Sequence, residues 1–190
     1  MTQQQQVKLR FGVLAGIIAA ATLSRIAIPP LLGHPSNFAP IGALALFSGC
    51  YFSGKLSKFI VPLLAVWVGD IFVNYFLQGH WTLFYPGFYW QYGSYILMAL
   101  IGMKLTNRVK PLNVLGTSLA GSALFFIISN FGCWAGGMYP PTLAGLLTCY
   151  EMGIPFFRST LLSDVIYSGV LFGAFELAQR RFPVLAVQKF

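Results

Sequence analysis

The chain has 190 residues and a formal net charge of +8, with 57% of its residues hydrophobic and only 8% charged. A soluble domain carries about 25% charged residues. This composition, with a mean hydropathy of +0.72, therefore excludes an ordinary soluble protein and indicates a multi-pass membrane protein. The basic residues are not interleaved with aromatic ones, which argues against a nucleic-acid partner.

Six apolar segments follow one another and predict an all-α membrane protein with six transmembrane helices. Each span needs about 20 residues, so residues 1–190 are expected to form one transmembrane domain. The start, MTQQQQVKLR, resembles a signal peptide, but the apolar run after it is too long for one, so we expect a retained first helix. The segment LAGLLTCY predicts a separate re-entrant or interfacial helix. The expected spans are residues 10–28, 39–52, 58–76, 89–104, 112–131 and 155–180.

Lysine and arginine fall almost entirely at alternate junctions between these spans. They precede the first span, separate the second from the third and the fourth from the fifth, and follow the sixth. Cytoplasmic loops concentrate these residues, so both termini are expected in the cytoplasm, with anionic lipid headgroups facing the basic loops. The residues are Lys8, Arg10, Lys55, Lys58, Lys104, Arg108, Lys110, Arg180, Arg181 and Lys189, and the exceptions are Arg25 and Arg158.

The first helix carries small residues at helical spacing. Ala15 and Ala19 are four residues apart, and Ala20 continues a second row of the same kind. Small residues at this spacing let two helices approach closely in lipid. Two interpretations stay open, namely packing inside this bundle or docking of a partner protein's helix.

Three ionisable residues, Arg25, Asp70 and Asp164, fall inside the expected spans. Charges in a membrane are costly and usually paired. We therefore expect these three residues to form one buried network, which either is purely structural or forms the floor of an outward-facing cavity. Glu176 lies four residues before Arg180, and we interpret the two as an ordinary ion pair on a helix surface.

The segment QGHWTLFYPGFYWQYG, between the third and fourth spans, combines a histidine with many aromatic residues. Aromatic residues are typical of a membrane interface, but they also suit a large, flat ligand. One histidine holds a free metal ion weakly, yet it can supply an axial ligand to a metal already held in a macrocycle. His80 is the candidate, with His34 a weaker one. The aromatic wall would be Trp81, Phe84, Tyr85, Tyr89 and Trp90.

The sequence contains no familiar catalytic pattern. HExxH, GxSxG and a Walker loop are absent, and two histidines and four acidic residues offer few groups for acid–base chemistry. We therefore expect neither an enzyme nor a resident cofactor. The three cysteines lack CxxC spacing and predict no zinc site or disulfide framework.

Three long stretches of the chain resemble a family of small bacterial inner-membrane proteins. That family is itself similar to the substrate-binding S components of energy-coupling-factor (ECF) vitamin transporters. The resemblance implies an S-component-like bundle with a vitamin pocket open to the outer face, and docking on an ECF-type transmembrane and ATPase module through the first helix. The stretches are HPSNFAPIGALALFSGCYF, DIFVNYFLQGHWTLFYPGFYWQYGSYILMALIG and SNFGCWAGGMYPPTLAGLLTCYEMGIPFFRSTLLSDVIYSGVLFG.

One functional analogue in this group is BtuM, a solitary transporter of cobalamin, so the resemblance favours cobalamin (vitamin B12) as the substrate. BtuM-type proteins can hold cobalt through a cysteine in the region where this chain has His80, which implies His80 as an axial ligand to cobalt. Asn37, Tyr139 and Arg158 are expected to complete the pocket. The alternatives are another micronutrient, a macrocycle-binding membrane redox protein, and a structural subunit without a ligand.

Overall fold

A computed structural model describes residues 2–31, 38–105 and 108–186, with only the backbone for residues 28–31. These residues form six α-helices and one short 3-10 helix, and no strand occurs in these ranges. His34 and Asn37 lie outside the described residues. The helices are α1 (Gln3–Leu31), α2 (Ile41–Tyr51), α3 (Ser57–Gln78), α4 (Phe88–Met103), α5 (Pro111–Ala135) and α6 (Leu143–Arg181), followed by the 3-10 helix Pro183–Leu185.

Four of these helices, α1, α3, α5 and α6, contain segments long and apolar enough to cross a membrane. Their outer surfaces are apolar, as Leu64, Val170 and Ile127 show by being about half exposed or more. A continuous apolar surface of this kind suits lipid better than water. The expected all-helical class is confirmed, and the fold is that of a multi-pass membrane protein.

The last helix begins earlier than the sequence predicts. α6 begins at Leu143 rather than near residue 155 and continues to Arg181 with Pro155 inside it. The hydroxyl of Thr142 accepts a hydrogen bond from the Gly145 amide at 3.1 Å and caps the helix there. The segment LAGLLTCY is therefore the first part of α6 and not a separate helix.

α2 lies at the centre of the bundle. All of its residues are buried, and it contacts each of the other five α-helices. Its 11 residues make it about 16 Å long, roughly half of a bilayer's hydrocarbon core of about 30 Å. α2 is therefore an internal helix surrounded by protein, and the other helices carry the lipid-facing surface.

Two glycines let α2 and α4 pack against each other with their backbones in contact. A Cβ atom added at Gly49 of α2 would lie 2.0 Å from the carbonyl oxygen of Ala99, and one added at Gly102 of α4 would lie 2.1 Å from that of Leu46. A backbone carbonyl cannot move aside as a flexible side chain can. The close approach therefore depends on glycine on both helices.

We expect Gly49→Ala or Gly102→Ala to destabilise the protein by about 1–3 kcal/mol, because the added methyl group would push α2 and α4 apart. Thermal unfolding in detergent measures the effect. Gly116→Ala is the matched control, since a Cβ at Gly116 of α5 has nothing within 4 Å. Equal stability of Gly49→Ala and Gly116→Ala would contradict the observed packing.

Arg10 of α1 connects α2 and the 3-10 helix at the end of the bundle where the termini lie. Its side chain is buried and donates to the carbonyl oxygens of Leu185 and, at 3.0 Å, of Tyr51, the last residue of α2. Its guanidinium carbon also lies 5.4 Å from the centre of the Phe175 ring. Glu176 accepts a hydrogen bond from the Tyr51 hydroxyl at 2.5 Å instead of pairing with Arg180 as predicted.

Candidate functional site

A cavity with a volume of about 810 Å³ opens at the opposite end of the bundle from Arg10. The C-terminal halves of α1, α3 and α5 and the N-terminal parts of α2, α4 and α6 line it. These ends meet because the chain reverses direction at each connection. Pockets for small organic ligands have volumes of about 300–1,000 Å³, so this cavity is large enough for such a molecule.

Aromatic and sulfur-containing side chains form about half of the cavity wall. Tyr95 and Phe125 stack with ring centres 5.5 Å apart and an interplanar angle of 8°, and Phe126 packs against Phe157 at 4.7 Å. Such walls favour a flat, apolar ligand body. The aromatic lining residues are Phe76, Tyr95, Phe125, Phe126, Tyr139, Phe156 and Phe157, and the sulfur-containing ones are Met98, Cys133, Met138, Cys149 and Met152.

Arg25 and Asp70 form an ion pair beside the cavity. The Arg25 Nη2 atom lies 2.5 Å from Asp70 Oδ1, and Nη1 donates to the Val66 carbonyl oxygen at 3.3 Å. The Tyr92 hydroxyl donates to the other oxygen of Asp70 at 2.8 Å. Arg25 lines the cavity, whereas Asp70 lies behind it, so the charged group presented to a ligand is a guanidinium that is already neutralised.

Gln91 lies on the cavity wall close to this ion pair. Its Oε1 atom accepts a hydrogen bond from the Tyr85 hydroxyl at 2.8 Å, which leaves its amide N–H groups as donors. Burial, and after it the negative charge of Asp70, raises the pKa of Tyr85 above its ordinary value. The Tyr85 hydroxyl therefore stays protonated at neutral pH and keeps Gln91 in this orientation.

Asp164 lies at the cavity floor with partners of its own. One of its oxygens accepts from the Ala43 amide at 3.2 Å and the other from the Ser122 hydroxyl at 2.7 Å. The Ala43 amide belongs to the first turn of α2, where the helix dipole favours a negative charge. The expected three-residue network is thus two clusters, Arg25 with Asp70 and Asp164 with the start of α2. Arg25 and Asp164 both line the cavity.

His80 and its aromatic neighbours do not line the cavity. The His80 side chain is exposed, and its Nδ1 atom lies 3.2 Å from the Gln78 carbonyl oxygen. Trp81 stacks on Tyr75 with ring centres 4.2 Å apart. The aromatic residues of this segment pack on one another and on the adjoining helices, as an interfacial belt does. The others of the predicted wall, Phe84, Tyr85, Tyr89 and Trp90, are likewise outside the cavity lining.

The remaining predicted ligand residues differ in whether they line the cavity. Tyr139 lines the cavity, whereas Arg158 is exposed on α6 and does not. Cys133 and Cys149 are free thiols on the cavity wall. Within the described ranges, no three His, Cys, Asp or Glu side chains are grouped so that they could hold a metal ion.

One face of α1 is left without packing partners in the described part of the chain. Ala19 and Ala20 are exposed and Ala15 is half-buried. A Cβ atom added at Gly12 or Gly16 would meet nothing within 4 Å. Packing inside this chain therefore does not account for the small residues at Ala19 and Ala20.

Sequence reasoning missed several cavity residues, and only some of them carry a signal. Gln91 and Asn130 are polar residues inside apolar helices, which is unusual enough to mark a site. Phe125, Phe126 and Met152 carry no such mark, because an apolar residue in a membrane helix is equally expected to face lipid. Their position on the cavity follows only from how the helices pack.

The chain matches one protein family, described as a family of unknown function (DUF6580), over residues 5–185. No curated protein and no solved structure matches it.

Proposed function

We propose that this chain, which belongs to the DUF6580 family, binds an organic micronutrient and takes part in its uptake across a membrane. The observation that carries the proposal is the cavity of about 810 Å³, with aromatic walls and a few converging polar groups. This combination is typical of sites for small organic ligands. The S-component-like arrangement implied by the sequence resemblance places a vitamin pocket in the same part of a bundle.

The proposed orientation puts the cavity on the outer side of a bacterial inner membrane. The cavity is formed where α1, α3 and α5 end, while the basic residues, including Lys8, Lys58 and Arg180, lie toward the opposite ends of the helices. Because cytoplasmic ends concentrate Lys and Arg, both termini would be cytoplasmic. A cavity open to the outside suits uptake.

We propose a compact micronutrient as the ligand in preference to cobalamin, because His80 is not on the cavity wall. Cobalamin is the second candidate, with His80 as the axial ligand to cobalt. The observation that favours it is an exposed imidazole next to the stacked rings of Trp81 and Tyr75, at the same end of the bundle. No catalytic activity and no resident cofactor are part of either proposal.

The test is binding of a panel of vitamins, cobalamin included, to the purified protein in detergent by calorimetry. We expect one compact ligand to bind, and Met152→Trp to weaken its binding by about tenfold or more, because the larger indole would narrow the cavity. Met103→Trp is the matched control, since Met103 does not line the cavity. Equal effects of both variants would refute binding in this cavity.

The same panel separates the two candidates through His80→Ala. A compact ligand in the cavity should bind this variant with unchanged affinity. If cobalamin is the substrate, His80→Ala should instead shift the visible spectrum of the bound corrinoid and weaken its binding. An unchanged corrinoid spectrum in the variant would show that His80 is not a ligand of the metal.

We also propose that the small-residue face of α1 docks on a transmembrane partner, such as an ECF-type module. We expect Gly16→Leu and Ala20→Leu to reduce uptake in cells strongly while leaving ligand binding in detergent unchanged, because bulk on this face blocks close helix approach. Gly173→Leu, also in open space but on α6, should leave uptake intact. Equal loss of uptake in all three variants would exclude a specific docking face.

A further inference from the structure

We infer that the cavity selects a neutral ligand that presents a hydrogen-bond acceptor, such as a ring carbonyl or a carboxamide, to Arg25 and Gln91. This inference rests on the proposed function, in which the cavity holds an organic molecule. It specifies the charge of that molecule and the polar group that the molecule presents.

The charges around the cavity decide against an anionic ligand. Two charged side chains line it among the described residues, Arg25 and Asp164. Asp70 already neutralises Arg25 across 2.5 Å. Among the described lining residues, an anion would therefore find no unpaired positive side chain.

A cationic ligand is disfavoured for a different reason. Asp164 is the only negative side chain on the described cavity wall, and it is almost completely buried. Its oxygens already accept hydrogen bonds from Ser122 and from Ala43 at the start of α2. The positive end of the α2 dipole also offsets its charge. A cation would gain less from pairing with a carboxylate whose charge is already offset in this way.

Among the described residues, some hydrogen-bond donors on one side of the cavity have no acceptor. A guanidinium has five N–H groups, and the contacts of Arg25 with Asp70 and Val66 occupy only part of them. Gln91 contributes its amide N–H groups, since its oxygen is taken by Tyr85. Both donor groups belong to the same side of the cavity, because the Tyr85 hydroxyl that holds Gln91 lies close enough to Asp70 and Arg25 for their charges to act on it. A carbonyl oxygen satisfies such donors without introducing a charge.

The rest of the wall fixes the shape of the ligand. Tyr95 and Phe125 present a nearly parallel stack, and Phe126 and Phe157 add a second pair of rings. Aromatic faces pack best on other flat rings. The favoured ligand class is therefore a planar aromatic or heteroaromatic molecule with a neutral carbonyl at its edge.

Three fluorescent probes of nearly equal size test this inference: naphthalene-2-carboxamide, naphthalene-2-carboxylate and 2-naphthylmethylammonium. Their affinities for the purified protein in detergent are compared by fluorescence titration. We expect the amide to bind about tenfold more tightly than either charged probe. Equal or tighter binding of a charged probe, or failure of all three to bind, would overturn the inference.

Two variants test whether Arg25 and Gln91 produce this selectivity. Asp70→Asn leaves Arg25 with an uncompensated charge and should reverse the preference toward the carboxylate. Should Asp70→Asn fail to fold, Gln91→Leu provides the test, since it should weaken binding of the amide and leave the ammonium probe unaffected. Unchanged amide affinity in Gln91→Leu would remove Gln91 from the site.

The outcomes also separate this inference from the proposed function. If the protein prefers the amide probe but binds no micronutrient, the inferred selectivity of the cavity is supported and the proposed uptake function is refuted. If the protein binds a micronutrient but has equal affinities for the three probes, the proposed function is supported and only the inference is refuted.

Discussion

Asp164→Ala is expected to destabilise the protein by about 2–5 kcal/mol. The substitution removes the carboxylate that accepts from the Ala43 amide and the Ser122 hydroxyl, and Asp164 is nearly completely buried. Because Asp164 is so deeply buried, water satisfies these donors poorly when they lose their acceptor, and each buried unsatisfied group costs about 1–3 kcal/mol. The measurement is thermal unfolding of the purified protein in detergent.

Glu151→Ala is the control for this prediction, because Glu151 is an exposed acidic residue on the same helix, α6. Its replacement should change stability by less than about 0.5 kcal/mol. Asp164→Asn should fall between the two, since the amide keeps one oxygen acceptor but loses the charge. If Asp164→Ala were as stable as Glu151→Ala, the carboxylate would have no part in holding α2.

The expected effect is large because of where α2 lies. It is entirely buried and short, so lipid headgroups do not reach its ends, and the unpaired backbone groups there need partners from the protein. Asp164 from α6 provides the negative charge at its start, and Arg10 from α1 donates to the Tyr51 carbonyl oxygen at its end. Each charge opposes the nearer end of the helix dipole. α2 is thus held at its two ends by residues that are 121 and 41 positions away in the sequence.

The sequence predicted the helical class well and the exact spans less well. Apolar segments separated by polar junctions identified each of the six helices, because a bilayer requires that pattern. The start of α6 was missed because Pro155 and the glycines before it are typical of a loop, whereas Thr142 caps an earlier start. The internal position of α2 was also missed, since an apolar helix has the same composition in protein as in lipid.

The candidate site shows the same division between local and long-range information. The rule that membrane charges have partners singled out Arg25, Asp70 and Asp164, of which the two aspartates are buried and Arg25 is partly exposed. It did not tell which residues would pair, because the pairing depends on three helices approaching one another. His80 and Arg158 stood out in the sequence as rare polar residues, yet both are exposed and outside the cavity lining.

Asp70→Asn is expected to destabilise the protein by about 3 kcal/mol, at the lower end of the range for breaking a buried ion pair. The lower end applies because the Arg25 side chain is 14% exposed while that of Asp70 is 7% exposed, so Arg25 regains some hydration from the cavity. The loss arises mainly from leaving a guanidinium with no negative partner. Thermal unfolding in detergent measures it.

A double-mutant cycle with Arg25→Met tests whether the two charges act as a pair. Arg25→Met combined with Asp70→Asn should destabilise less than the sum of the single variants, by about 1 kcal/mol or more, because removing both charges leaves none unpaired. Arg25→Met combined with Asp164→Asn should be additive within about 0.5 kcal/mol, since Asp164 has its own partners. Additivity in the first cycle would show that the ion pair contributes nothing. Strong coupling in the second cycle would mean that Arg25, Asp70 and Asp164 form a single network. A ligand in the cavity would then interact with all three charges together, and not with two independent clusters.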